Sequence, residues 1–243
     1  MEKNWKGKLA VITGASGGIG RAIAVKLASE GINLVLLGGT REDKLDETKN
    51  LLTEFAVQVD VIPGDLSNID WLKLKVEEIN KKYSVDVLIN NAGKAHHTAV
   101  SKVTEEEYDK IMNVNVKAPF FITKGLIDNI RNSSRATIIN IASIVAHLGY
   151  PMQSVYTASK HALLGFTKSL ATEEYNNGVR VHAICPGGVY TDMIKIARPD
   201  LTSDGMPMPE DIAELVWFFL YMRGNAVVDE IIVHRSTKQP FLV

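Results

Sequence analysis

Short apolar runs, rich in β-branched residues, alternate along this chain with longer stretches whose apolar positions recur every three or four residues. The short runs predict strands at residues 9–13, 34–37, 57–62, 85–90, 137–141, 179–184 and 230–233. Several are apolar throughout instead of alternating, as strands buried on both faces require. The longer pattern predicts a helix from Gly18 to Glu30, with Ile19, Ile23 and Leu27 on one face. A second, charged and amphipathic, runs from about Glu42 to Phe55. Thr104-Glu-Glu-Glu107 has capping-box spacing and opens a long helix, and Pro209-Glu-Asp suits the first turn of a late one. No repeat, low-complexity tract or Pro/Ser-rich linker interrupts the alternation. The expected fold is therefore α/β: one doubly wound, parallel sheet with helices on both faces, in a single domain over residues 1–243.

Composition narrows the function classes. With 46% hydrophobic and 23% charged residues and a net charge of −1, the chain reads as an ordinary soluble globular protein without the basic excess that nucleic acid would call for. Its N-terminal stretch lacks the apolar core of a signal peptide, and its longest clean apolar run, Leu215 to Met222, is too short to span a bilayer. A cytoplasmic location, with no membrane or nucleic-acid partner, is expected. Cys185 is the only cysteine, which excludes an intrachain disulfide and a multi-cysteine metal cluster. No His/Asp/Glu grouping shows metal-ligand spacing along the chain, so no metal is expected.

Candidate chemistry enters with two motifs. Thr13-Gly14-Ala-Ser16-Gly-Gly18-Ile19-Gly20 follows a strand and opens a helix. Glycines there let the backbone bend tightly and approach a phosphate, while the helix N-terminus offers free N–H donors and partial positive charge. In Tyr156-Thr-Ala-Ser-Lys160 the two functional side chains are four residues apart and share one helix face. A free phenol, with a pKa of about 10, is a poor acid–base group near neutrality, and an adjacent cation favours its ionised form. Each residue also has a plain structural role open to it: Ser143 can end a strand, and Tyr156 can simply pack. Ser143 lacks the Gly-x-Ser-x-Gly elbow of an acyl-transfer nucleophile.

The spacing Thr-Gly-x-x-x-Gly-x-Gly, followed in order by Asn90-Asn91-Ala92-Gly93, Asn115, Ser143, Tyr156-x-x-x-Lys160 and Pro186-Gly187-Gly-Val189-Tyr-Thr191, resembles the short-chain dehydrogenase/reductase family from about Gly7 to Val233. The resemblance implies a Rossmann-type fold and a nicotinamide cofactor held by Gly14, Ser16, Gly18, Ile19, Gly20, Asn91, Ala92, Gly93, Tyr156, Lys160, Pro186, Gly187, Val189 and Thr191, with Asp65 and Leu66 beside the adenine. It implies Asn115, Ser143, Tyr156 and Lys160 as the catalytic set, with Lys160 lowering the tyrosine pKa and Asn115 anchoring a water. Asn113 competes with Asn115, and the 28-residue separation from Ser143 favours the latter by the family pattern. Ser143 precedes Tyr156 by 13 residues, the family's usual offset. His147 and Gln153 are the candidate substrate contacts, while the tandem His96 and His97 are expected to be exposed. The family also implies a homodimer or homotetramer.

At the end of the second strand an acidic residue would bind the adenine ribose and exclude a 2′-phosphate. Here the chain reads Gly38-Gly39-Thr40-Arg41, with room for a phosphate, a hydroxyl donor and a cation. NADP(H) is the preferred cofactor and NAD(H) the alternative, because Gly17 stands where many NADP-preferring relatives carry a basic residue and Glu42 and Asp43 offset Arg41. The expected substrate is a small carbonyl or alcohol compound, under a partly apolar segment from Met193 to Met208. The C-terminal Val233-His-Arg-Ser lacks the glycine-rich ending common in ketoacyl-carrier-protein reductases. Two other readings are a redox-inactive dinucleotide-binding regulator, which has no chemical need for the catalytic set, and a methyltransferase, which calls for the missing acid.

Overall fold

The apolar runs become strands that pair side by side in the computed structural model, which describes residues 4–192, 194 and 202–239. The strands are β1 (Leu9–Thr13), β2 (Asn33–Leu37), β3 (Val59–Ile62), β4 (Val87–Asn90), β5 (Thr137–Ile141), β6 (Arg180–Pro186) and β7 (Glu230–Val233). They form one parallel sheet in the order β3-β2-β1-β4-β5-β6-β7. The helices are α1 (Gly18–Ser29), α2 (Glu42–Leu51), α3 (Ile69–Lys82), α4 (Glu105–Met112), α5 (Ala118–Arg131), α6 (Ser154–Glu174) and α7 (Pro209–Tyr221). Among the described residues, no helix is long and apolar enough to cross a membrane.

Continuous apolarity along the strands is explained by cores on both faces. Ala10 and Ile12 of β1 pack in one cluster with Ile23 and Leu27 of α1 and Phe219 of α7. Val11, between them, points the other way, to Val76 and Ile79 of α3 and Leu126 and Ile130 of α5. Each such aliphatic side chain removed from water contributes about 1.5–3 kcal/mol, so neither face can turn to solvent. The strand order reverses direction at β1 and β4, leaving a crevice above their carboxyl ends. That crevice receives the glycine turn after β1 and Asn91-Ala92-Gly93 after β4.

The predicted caps are present. Thr104 Oγ1 accepts from the Glu107 amide at 3.2 Å while Glu107 Oε2 accepts from the Thr104 amide at 3.3 Å. Asp211 Oδ2 accepts from the Met208 amide at 2.7 Å, before Pro209 in the first turn of α7.

Three helical features differ from the sequence expectation. Helix α2 stops at Leu51, short of Phe55, because its last turn tightens (Leu52 N to Lys49 O, 3.0 Å) and the Thr53 hydroxyl takes the Asn50 carbonyl at 2.7 Å. Residues 69–82, assigned no element above, form α3, whose Asn68 cap accepts from the Trp71 amide at 3.1 Å. The long helix opened by Thr104 is two helices joined by a π turn over Asn113–Lys117. Pro119 has no N–H to donate to the Asn115 carbonyl four residues back, so a regular α-helical bond is unavailable there.

Candidate active site

The glycine turn is fastened across the crevice by side chains from both strands. Thr13 Oγ1 accepts from the amides of Asn91 and Ala92, each at 3.0 Å, and Asn91 Nδ2 donates to the carbonyls of Thr13 (2.9 Å) and Gly14 (3.2 Å). Gly14 has φ +71°, and a Cβ there would lie 2.8 Å from Ala92 Cα. A Cβ on Gly20 would lie 2.3 Å from the Gly14 carbonyl oxygen. Helix α1 begins after Gly17 with no side-chain cap, so its first amides stay available to an anionic group, beside the half-exposed Ser16, Gly18 and Ile19. A Cβ on Gly18 would meet Thr191 Cγ2 at 3.1 Å, which brings the segment after β6 against the same turn.

Gly20→Ala tests this close packing. The added methyl must push the Gly14 carbonyl or Asn91 aside, at about 1–3 kcal/mol of stability, and the displaced turn is expected to bind dinucleotide at least about tenfold more weakly. Thermal unfolding and cofactor titration of the variant check both effects, and unchanged values in both would refute the role given to the turn.

At the β2 end of the crevice, Gly39 and Gly64 form an antiparallel bridge, and a Cβ on Gly38 would lie 2.6 Å from Leu66 Cγ. Leu66 is buried beneath it, whereas Asp65, Thr40 and Arg41 are exposed. The Arg41 guanidinium enters no hydrogen bond or ion pair with the described residues. Burial opposes ionisation of Asp65, but hydrogen bonds from the Ser67 amide (2.9 Å) and hydroxyl (2.8 Å) outweigh it and hold the carboxyl below its usual range. Arg21, which no sequence pattern singles out, ties α1 to α2 by donating to Thr48 Oγ1 (2.9 Å), the Ser16 carbonyl (3.0 Å) and Glu47 (3.1 Å).

At the other end Ser143, Tyr156 and Lys160 come together. Ser143 follows β5 and starts a short 3-10 turn, Ile144–Ala146; its Oγ accepts from the Val145 amide at 3.4 Å and donates to the Pro186 carbonyl at 3.3 Å. Tyr156 and Lys160 lie one turn apart at the start of α6. The Lys160 ammonium is buried, donates to the Ile141 carbonyl at 2.9 Å, and sits 5.9 Å from the Tyr156 ring centroid. A methyl built on Gly93 would lie 3.5 Å from Lys160 Nζ and 3.7 Å from Asn115 Oδ1, so the Asn-Asn-Ala-Gly turn passes directly beside both.

Asn115 is fully buried in the π turn and Asn113 only half-buried. The Asn115 amide group bridges the backbone of Lys94, accepting from its N–H at 2.7 Å and donating to its carbonyl at 2.8 Å. It also donates to Ser159 Oγ at 2.9 Å, and Ser159 in turn donates to the Tyr156 carbonyl at 2.7 Å. The side chain thus fixes loop and helix to each other.

The electrostatics correct one expectation. Burial pushes the Tyr156 phenol above its ordinary pKa, and the Ser143 side chain only partly opposes it, against the lowering expected from Lys160. Lys160 responds to the same burial in the opposite sense and is lowered to about 8. Desolvation is the largest cause of both shifts.

His147 is hydrogen-bonded through Nε2 to Glu230 at the start of β7. His96, expected to be exposed, has both ring nitrogens buried without a hydrogen-bond partner among the described residues, and burial lowers its pKa. Its loop is tied to the segment before α6 by the Thr98 amide, which donates to the Met152 carbonyl at 2.8 Å. Gln153 is the half-buried N-cap residue of α6, and its carbonyl accepts from the Thr157 amide at 2.7 Å. After β6, the Gly187 amide donates to the Val233 carbonyl at 2.8 Å and Val189 is buried. Met206 is buried and Met208 exposed, while Met193, Ile196 and Pro199 of the same segment lie outside the described residues.

Comparison with known proteins gives the family. The family model described as short chain dehydrogenase matches residues 8–202. The chain belongs to the short-chain dehydrogenase family. An oxidoreductase of Thermotoga maritima is 36% identical to this short-chain dehydrogenase over 94% of the chain and 88% of its own length. A 3-oxoacyl-(acyl-carrier-protein) reductase of the same organism is 31% identical over 93% and 96% of the two chains. A crystal structure of a metagenomic short-chain oxidoreductase in complex with NADP superposes with a TM-score of 0.83 at 29% identity, covering 95% of this chain and 98% of that one. This short-chain dehydrogenase is accordingly an NAD(P)-dependent oxidoreductase of small molecules with a Rossmann-type fold.

Proposed function

We propose that this enzyme is an NADP(H)-dependent reductase of a small carbonyl compound, working reversibly on the corresponding alcohol, with Tyr156 as its acid and base. The observation that carries the reading is the convergence of Ser143, Tyr156 and Lys160 beside Gly93, at the crevice that the uncapped N-terminus of α1 faces. NADP(H), when bound, supplies or accepts the hydride at its nicotinamide. The turn from Gly14 to Gly20 and the first amides of α1 suit its diphosphate, Asp65 and Leu66 its adenine, and Asn91 to Gly93, Pro186, Gly187, Val189 and Thr191 its nicotinamide half.

In the reducing direction Tyr156 gives its phenolic proton to the substrate oxygen. Its raised pKa keeps that proton in place through the neutral range. Ser143 Oγ turns from the Pro186 carbonyl, a long 3.3 Å bond, to donate to the same substrate oxygen where negative charge develops. Lys160 holds the ribose hydroxyls and keeps positive charge behind the phenol. Asn115, in a π turn whose backbone carbonyl has lost its α-helical donor, anchors the water through which Lys160 exchanges protons with solvent. A redox-inactive regulator is not favoured, since it needs none of these four groups.

Preference for NADP(H) is supported by the absence of an acid at Gly38-Gly39-Thr40, by the exposed and unengaged Arg41 guanidinium, and by the NADP bound to the metagenomic relative. Fluorescence titration with NADPH and NADH side by side tests it. Arg41→Ala is expected to weaken NADPH by about tenfold, the worth of one exposed charge-assisted bond, and to leave NADH unchanged. Tighter binding of NADH by the parent protein would overturn the preference. The stretch Val233-His-Arg-Ser directly after β7 lacks the glycines common there in ketoacyl-carrier-protein reductases, which supports a small ketone, sugar or pterin-like carbonyl. Exposed Tyr108 and Phe120 on α4 and α5 support association through these helices into a homodimer or homotetramer.

A further inference from the structure

Three residues outside the catalytic set meet on the edge of the sheet near β6 and β7. His147 closes the 3-10 turn that Ser143 begins, Cys185 is the residue before Pro186 in β6, and Glu230 starts β7. One ligand atom from each (a ring nitrogen, the sulfur and a carboxylate oxygen) lies within 4.8 Å of the other two. Cys185 Sγ donates to Glu230 Oε1 at 3.1 Å, and His147 Nε2 is hydrogen-bonded to the same oxygen. Two protons thus lie inside a triangle of nitrogen, sulfur and oxygen ligands.

We propose that His147, Cys185 and Glu230 form a three-ligand site for a zinc-type divalent cation, with water in the fourth position. Imidazole, thiolate and carboxylate are together the ligand set of a borderline-soft ion, and three protein ligands with an open position is a recurring tetrahedral arrangement. Ligand bonds of about 2.0–2.3 Å put the edges of such a site at roughly 3.3–3.7 Å. The Cys185–Glu230 edge is already close to that, and the His147–Glu230 edge must open by a side-chain rotation. His147 and Glu230 are 25% and 21% exposed, which gives an ion and its water a way in, while Cys185 is buried and forms the floor. Lys168 Nζ lies 3.9 Å from Glu230 Oε2 on a side chain 63% exposed, so this competing cation can swing into solvent. Binding replaces the S–H proton, which leaves to solvent, with an S–metal bond, and the Nε2 proton leaves to solvent or passes to Nδ1 so that Nε2 can coordinate; no electrons are transferred. The ion would sit behind Ser143, since Cys185 leads into the Pro186 carbonyl that holds Ser143 Oγ and His147 ends the turn that Ser143 caps.

The test is titration of the full, untagged chain with Co²⁺ as a spectroscopic stand-in, followed by Zn²⁺ competition. The expected result is one ion per chain, a near-ultraviolet thiolate-to-cobalt charge-transfer band, and its loss on adding Zn²⁺. Cys185→Ser is expected to abolish the band, and Glu230→Gln and His147→Gln each to weaken binding at least about tenfold. The latter two change only partly exposed side chains, and so keep the test open if Cys185→Ser does not fold. No thiolate band at saturating Co²⁺, or a band of undiminished affinity in both Glu230→Gln and His147→Gln, would overturn the assignment. None of these readouts depends on turnover, so the outcome is independent of the proposed reductase activity.

Discussion

Replacing Tyr156 with phenylalanine is expected to cut carbonyl reduction by at least about 10²–10⁴-fold, the usual worth of a positioned proton donor. NADPH affinity should stay near that of the parent. The substitution removes one oxygen and leaves the ring, its place on α6 and the Lys160–Ile141 bond intact. Ser143 keeps its bonds to Pro186 and Val145, so the turn carrying it has no cause to move. The loss should therefore fall on turnover, with little change in stability. Steady-state kinetics alongside cofactor titration separates the two, and turnover close to that of the parent would sink the assignment of Tyr156.

Lys160→Met is expected to abolish most turnover and, at neutral pH, to make the protein more stable. Burial lowers the ammonium from 10.5 to about 8, a difference of about 3 kcal/mol at 1.36 kcal/mol per pH unit. Below pH 8 lysine is charged in both folded and unfolded chains, and the folded state carries the full cost of burying the charge. Between about 8 and 10.5 the unfolded chain keeps a proton that the folded one has released, so the parent gains stability as pH rises. Above that range the cost is gone. Methionine avoids the cost but leaves the Ile141 carbonyl without its donor, an offset of about 1 kcal/mol, for a net gain of about 2 kcal/mol at pH 7. Denaturant unfolding at a series of pH values checks this. The gain should shrink steadily above pH 8; a variant less stable than the parent at pH 7, or a gain that does not fall with pH, contradicts the account. In the parent, the same titration should reduce carbonyl reduction above about pH 8, as the charge behind the phenol is lost.

Several strands, β1 and β2 above all, were readable in the sequence because burial on both faces leaves a nearly unbroken apolar run. The glycine turn was equally readable, since Gly14 and Gly20 stand where a side chain would strike the backbone or the neighbouring strand. Caps at Thr104 and Pro209 announced α4 and α7 through local chemistry. Helix α3 is hard to read from periodicity although Asn68 caps it and Leu72, Val76 and Ile79 repeat at helical spacing, because its charged face masks a narrow apolar one. The early end of α2 depended on a hydroxyl competing for one carbonyl, which no periodic pattern reports.

At the site, the sequence by itself determined which chemical groups are present and how those on one element are spaced: Tyr156 and Lys160 share a helix face because four residues make about one turn. Tertiary structure decided what lies next to what, and in which dielectric. It put Asn115 in the core and left Asn113 half-buried, through the π turn that precedes Pro119. It turned His147 toward Glu230, 83 residues away, and brought Cys185 to both. It also set the sign of the Tyr156 shift, because the cost of burying charge depends on atoms from several strands and loops at once. Spacing along a chain constrains neighbours within a turn or a pleat; contacts between distant segments, and the desolvation they impose, exist only once the sheet has assembled.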